Sequence, residues 1–377
     1  MKLEYSTFRA LVIFSVLLVS SGLQAVDTRQ IDQVRSKGVL DSGDFQIIDN
    51  FVADAVKELV STEDFTSIAK TRTAILLRSR SETNSAATQY SEQFVESAHN
   101  HISDAFKEAQ KLATDKQKSE VIVNLLILVD NLGDLRLVDL ARKWLDNDNK
   151  VIRYWAVHCV TNPDITKQLN SGEAANSKLA SEITKQLEVV LDSSSADTIS
   201  LMAEFAATVQ IPEGEELLLR IADMRIHKYF DWTVDYELLD GNILSFLYDK
   251  ISSAGLSSRA ALGVRFGQLY SCVFQRYVKG RDFLSETHKE YLASVLVETE
   301  KTLISNILGR PQSVVRKTVE QDDYVALLAE DSRLLGDKTR AGQIPLRLNF
   351  DYGKNPDGSK RIAPLELPSP AEIETSK

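Results

Sequence analysis

Apolar residues recur at three- and four-residue steps along most of this chain. Phe45, Ile48, Phe51, Val52, Ala55, Val56 and Leu59 fall on one helical face. Phe65, Ile68, Ile75 and Leu76 continue the pattern over 62–80, and Tyr90, Phe94, Val95, Ile102, Ala105 and Phe106 carry it through 85–113. Punctuation fits helices joined by short loops. Gly133 closes one helix and Asp134 caps the next, Asn162-Pro163-Asp164 reads as cap, first-turn proline and first-turn acid, and Gly280 and Gly309 are stops. Proline costs about 3 kcal/mol inside a helix, and of eight prolines only Pro163, Pro212 and Pro311 precede residue 344. The spacing therefore predicts about a dozen helices over 45–336, preceded by a lead-in at 26–44.

The period changes in the tail, 337–377. Leu346, Leu348, Phe350 and Tyr352 alternate with polar residues, which predicts a strand. Asn355-Pro356-Asp357-Gly358 reads as a turn, and Leu365 and Leu367 alternate again. The expectation is a short β-hairpin over 344–367, with Pro345 and Pro364 confining its strands to edges and 368–377 disordered.

The first residues address the compartment. Lys2 and Arg9 precede ten uncharged residues, Ala10 to Val19, and small residues lead to Ala25. This is the pattern of a secretory signal peptide over 1–25. The rival, an uncleaved anchor, needs about 20 apolar residues. The expected location is periplasmic or secreted, with no membrane span after cleavage.

Charge narrows the partners. Acids outnumber bases 54 to 44, a formal charge of −10, which disfavours phosphate backbones and excludes nucleic acid as the expected partner. Cys159 and Cys272 sit in apolar runs and read as small buried hydrophobes. The five histidines have no metal-ligand spacing, no cofactor is implied, and no nucleotide loop or Ser/His/Asp pattern is present. Gly263 and Gly267, four apart, allow another helix to approach closely.

Asp134 to Asn162 reads DLRLVDLARKWLDNDNKVIRYWAVHCVTN. Leu137, Ala141 and Leu145 form a first-helix stripe, residues 146–149 an Asp/Asn turn, and Val151, Arg153, Ala156 and Val157 the opening of a second helix. This segment resembles a HEAT repeat. The resemblance implies an all-α, irregular α-solenoid of stacked helical hairpins, with Asp148, Val151, Arg153 and Ala156 as repeat-structural positions. The turn acids and the arginine would then help to stack neighbouring repeats.

The densest unusual patch is His227 to Asp240, HKYFDWTVDYELLD. Tyr229, Trp232 and Tyr236 are candidate binding residues there, as are Leu346, Leu348, Phe350 and Tyr352 in the tail, whose strand could add to a partner's sheet edge. If the patch is helical, Asp231 and Asp235 share a face, and paired carboxylates can run glycoside hydrolysis. The leading expectation is an exported, non-catalytic protein-binding or scaffolding protein of the cell envelope. The alternatives are a helical carbohydrate-active enzyme using Asp231 and Asp235, and a purely structural envelope component.

Overall fold

The computed structural model describes residues 27–253 and 255–370, and the signal-like segment 1–25 lies outside them. The described residues are all-helical. Two isolated β-bridges take the place of strands, and no helix among these residues is long and apolar enough to cross a membrane. The chain divides into two compact units, Met1–Leu132 and Gly133–Lys377.

The first unit contains α1 (Arg29–Arg35), α2 (Ser42–Ser61), α3 (Phe65–Leu77), α4 (Ala87–Ala109) and α5 (Asp115–Leu132). The lead-in thus contributes a helix of its own and the capping box of α2, in which Asp41 and Asp44 each accept from the other's backbone N–H. The stripe Ile48, Phe51, Val52, Val56 and Leu59 packs along α4, which answers with Tyr90, Phe94, Ile102 and Phe106. All nine are buried, as their spacing requires.

The second unit opens with a 3-10 turn, Leu135–Leu137, whose cap is Asp134. Its helices are α6 (Val138–Arg142), α7 (Lys150–Thr161), α8 (Pro163–Leu169), α9 (Ala174–Val190), α10 (Ala196–Thr208), α11 (Pro212–Phe230), α12 (Leu238–Ser253) and α13 (Leu256–Lys279). Then α14 (Glu286–Thr299) runs through a π turn, Glu300–Ile304, into α15 (Ser305–Leu308), followed by α16 (Val314–Glu320), α17 (Tyr324–Leu335) and α18 (Gln343–Leu348). The centre is α13, which packs against α11, α12, α14, α17 and α18. From Phe266 to Tyr277 every residue is buried, so this stretch is enclosed on all sides rather than along one stripe.

Within 134–162, Leu137, Ala141 and Leu145 are buried. The cap of α7 is Asn149, which accepts from the Val151 N–H, and Asp148 beside it is exposed. Val151 is also on the surface, at 56% exposure; the buried face of α7 runs through Ile152, Ala156, Cys159 and Val160. Arg153 reaches the 3-10 turn after α9, donating to the Ser193 hydroxyl and carbonyl at 3.2 and 3.0 Å. No disulfide joins Cys159 and Cys272, both of which are buried.

The tail corrects the period-two reading. Leu346 and Leu348 stand on α18, a helix of six residues, rather than on a strand. Pro345 lies in its first turn, where a missing N–H removes no hydrogen bond. Asn349, at φ 56°, ends the helix in the left-handed region. The alternation of Phe350 and Tyr352 has another cause: both rings lie on α13 over its two glycines. A β-carbon at Gly263 would stand 2.5 Å from Phe350 Cδ1, and one at Gly267 2.6 Å from the Tyr352 hydroxyl. The close approach that these glycines permit is by aromatic rings of the tail. The 355–358 turn does form, closed by Gly358 N–H to the Asn355 carbonyl at 2.9 Å, but only one bridge, Lys354 to Lys360, flanks it. Without a ladder there is no strand here to extend a partner's sheet.

Candidate functional site

The patch 227–240 is a corner between α11 and α12. Helix α11 ends at Phe230, and residues 231–237 are irregular, with Trp232 and Tyr236 at φ 57° and 51°. Asp231 and Asp235 therefore do not share a helical face. Both are exposed, and they face different partners: Asp231 lies 3.3 Å from the His227 ring and Asp235 lies 3.6 Å from the Arg225 guanidinium. The acids that point inward are Glu237 and Asp240, each fully buried.

Asp240 anchors the first buried cluster. It accepts from Arg225 Nε and from a terminal guanidinium nitrogen of Arg225 at 2.7 and 2.9 Å, and from the Tyr229 hydroxyl at 2.7 Å. Arg225 also donates to the Asp235 carbonyl, which fixes the irregular segment. Burial works against the Arg225 charge, but Asp240 outweighs it and raises the arginine's pKa. Burial, with Asp240 beside it, pushes the Tyr229 phenol well above its usual range. Tyr229 is a core hydrogen-bond donor and has no surface to offer a ligand, which corrects its reading as a contact residue.

Glu237 anchors the second. Both of its oxygens lie within 2.9 Å of His288 Nδ1 on α14, and Arg276 Nε of α13 is 3.4 Å away. Burial lowers the Arg276 pKa, partly offset by Glu237. The Arg276 guanidinium lies 5.3 Å from the Trp232 ring centroid and 5.8 Å from that of Tyr229, and donates to the Val234 carbonyl.

Trp232 leads to the tail. Its indole Nε1 donates to the Pro368 carbonyl at 3.0 Å, so residues 368–370 include a tethered point; 371–377 lie outside the described residues. Upstream of that contact the chain is extended and crosses α13 as a strap. The Gln268 amide makes a paired bond to the backbone of Leu365, Oε1 accepting from its N–H at 2.7 Å and Nε2 donating to its carbonyl at 3.0 Å. Gln275, two turns on, accepts from the Leu367 N–H at 2.6 Å and donates to the Leu365 carbonyl at 3.1 Å. Lys279 donates to the Leu367 carbonyl at 2.5 Å. The glutamine contacts are all to main chain, while Lys279 also lies 3.5 Å from the Glu366 carboxylate; of the strap's side chains, Leu367 is buried while Leu365 and Glu366 are exposed.

Beside the strap lies an open cavity of about 730 Å³, with 361–366 along one side and Ser271, Gln275, Lys279 and Asp331 of α13 and α17 on the other. Burial pushes the Asp331 carboxyl up to about 8; the Ser271 hydroxyl donates to it at 3.3 Å.

Of the residues expected to bind, Trp232 thus holds the chain's own tail, while Phe350 and Tyr352 are buried on α13 and serve packing. Tyr236 and Leu346 are exposed. The structure joins two patches that are far apart in sequence, the corner and the tail. The glutamines went unread, although a pair seven positions apart, two turns of one helix, was a visible signal. The Glu237–His288 pair, 51 residues apart, had none. Among the described residues no group of three or more His, Cys, Asp or Glu is placed to hold a metal ion. Comparison with protein-family models, with curated proteins and with solved structures returns no match.

Proposed function

We propose that this chain is an exported, non-catalytic protein-binding or scaffolding protein of the cell envelope, in which HEAT-like helix pairs stack to present a surface for extended polypeptide. One observation carries the reading: α13 holds an extended segment through side-chain amides that address peptide N–H and C=O groups. Main-chain recognition of this kind suits a binding protein, because it accepts a backbone whatever most of its side chains are. The signal-like pattern over 1–25 supports export. Arg153, bonded to the turn after α9, supports HEAT-like stacking within the second unit.

The test has two arms. Expression of the full chain in a bacterial host, fractionation and N-terminal sequencing should give an envelope-located product beginning at Val26; retention in the cytosol with Met1 intact refutes export. Photo-crosslinking from an unnatural residue at exposed Leu328, on the cavity wall beside the strap, in the native envelope should give discrete protein adducts that vanish with Trp232→Ala. A smear, or no adduct above an α2 surface control, refutes the binding reading.

A further inference from the structure

The strap has the features of a ligand resting in a site. It is extended, and side chains of α13 and Trp232 bond its carbonyl and N–H groups at Leu365, Leu367 and Pro368. It sends a single leucine, Leu367, into the core. A segment serving only to complete the fold would bury more of what it carries; here Leu365 is 44% exposed and a cavity of about 730 Å³ lies along it. The anchors Phe350 and Tyr352 are upstream, seated over Gly263 and Gly267. Arg361 exchanges main-chain bonds with Tyr352 and Gly353 at 3.0 and 2.8 Å, so a displaceable stretch would begin beyond Arg361.

We propose that this groove on α13 is a binding site for an extended Leu-x-Leu-Pro segment of a partner protein, and that residues 365–368 occupy it as a built-in competitor. The proposal rests on the protein-binding reading above and specifies its site. The resident segment defines the chemistry that fits. An apolar side chain must fill the place of Leu367, and the residue before it must point outward, as Glu366 does. A proline follows, whose carbonyl takes the Trp232 indole N–H. Gln268, Gln275 and Lys279 supply the backbone contacts, with the two glutamines on one face because seven residues make two helical turns. Lys279 also lies 3.5 Å from the Glu366 carboxylate, so an acid at the outward position is favoured.

The test uses the full chain with Leu367→Asp, which ejects the strap by burying a charge. The probe is a fluorescein-labelled synthetic peptide of residues 361–370, read by fluorescence polarisation. The variant should bind the peptide at least ten-fold more tightly than the wild type, whose groove is filled. A peptide carrying aspartate at the Leu367 position should not bind, and adding Gln268→Ala and Gln275→Ala to the variant should weaken binding at least ten-fold. Equal or absent binding by the wild type and a helical Leu367→Asp chain overturns the proposal. It leaves the crosslinking result, and with it the general binding reading, to stand or fall alone. If light scattering shows a concentration-dependent dimer of the wild type that Leu367→Asp abolishes, the occupant is a second copy and the partner-peptide proposal is wrong.

Should Leu367→Asp not fold, hydrogen exchange on the wild type decides. The Leu365 and Leu367 amides should exchange at least 100-fold faster than those in the middle of α13. Protection equal to α13 makes the strap part of the core and refutes a displaceable occupant.

Discussion

Asp240 is where the second unit can be broken with one atom-level change. Asp240→Ala leaves the fully buried Arg225 without its bidentate partner and the Tyr229 hydroxyl without an acceptor. Removing one member of a buried ion pair costs about 3–5 kcal/mol, because the other charge stays out of water. An orphaned buried hydroxyl adds about 1–3 kcal/mol, though the two losses share one site and do not sum. A net loss of about 4 kcal/mol is a large part of the usual 5–15 kcal/mol of a folded domain. The assay is urea unfolding followed by tryptophan fluorescence, which isolates this unit because all three tryptophans, Trp144, Trp155 and Trp232, belong to it. A control separates charge from packing: Arg225→Met, Tyr229→Phe and Asp240→Leu together replace the cluster by apolar groups and should recover most of the loss. If Asp240→Ala lies within about 1 kcal/mol of the wild type, the cluster is not the support described above.

Other outcomes follow from the same geometry. Asp331, pushed up to about 8, stays protonated in the folded protein while its unfolded counterpart ionises near 3.8, so the unfolded state holds fewer protons between those values and stability falls as pH rises from about 4 to 8. Asp331→Asn should flatten that slope and raise the unfolding midpoint at pH 8 by more than at pH 4; an unchanged pH profile refutes the assignment. Gly263→Ala on an open helix surface would stabilise by about 1 kcal/mol, but the methyl here meets the Phe350 ring, and a net loss of about 1–2 kcal/mol is expected from denaturant midpoints. A gain in stability would show that the ring is not seated there. Cys159 and Cys272 are both buried, so a thiol-specific chromogenic reagent should titrate neither in the native protein and both in guanidinium, Cys272 being held back further because burial pushes its thiol up to about 12; rapid native labelling contradicts their burial.

The helical class and many helix ends were legible because they depend on local chemistry. Asn162 and Pro163 begin α8 with the side-chain cap on the Asp164 N–H, Ser285 caps α14, and Gly309 closes α15 at φ 67°. The failures came where long-range packing outweighed local pattern. The alternation from Leu346 to Tyr352 looked like a strand because two of its members are core aromatics, but they are buried by docking on α13 after a helix has already ended. The spacing of Asp231 and Asp235 implied a pair only if α11 continued past Phe230. Arg225, bonded to the Asp235 carbonyl, holds the chain off that course. Trp232 was expected to contact a ligand, and in this structure its indole donates to the chain's own Pro368, 136 positions away. No spacing rule reaches that far.

The order in which a polypeptide is made gives the glutamine pair a further consequence. Gln268 leaves the ribosome 97 residues before Leu365. At about 5–20 residues per second, Gln268 waits on the order of 5–20 s for its resident. During that interval, any nascent helix there carries two glutamine amides bonded only to water. Whatever first offers a stretched backbone, whether export machinery, a chaperone or a neighbouring chain, meets the site before the protein has made its own plug.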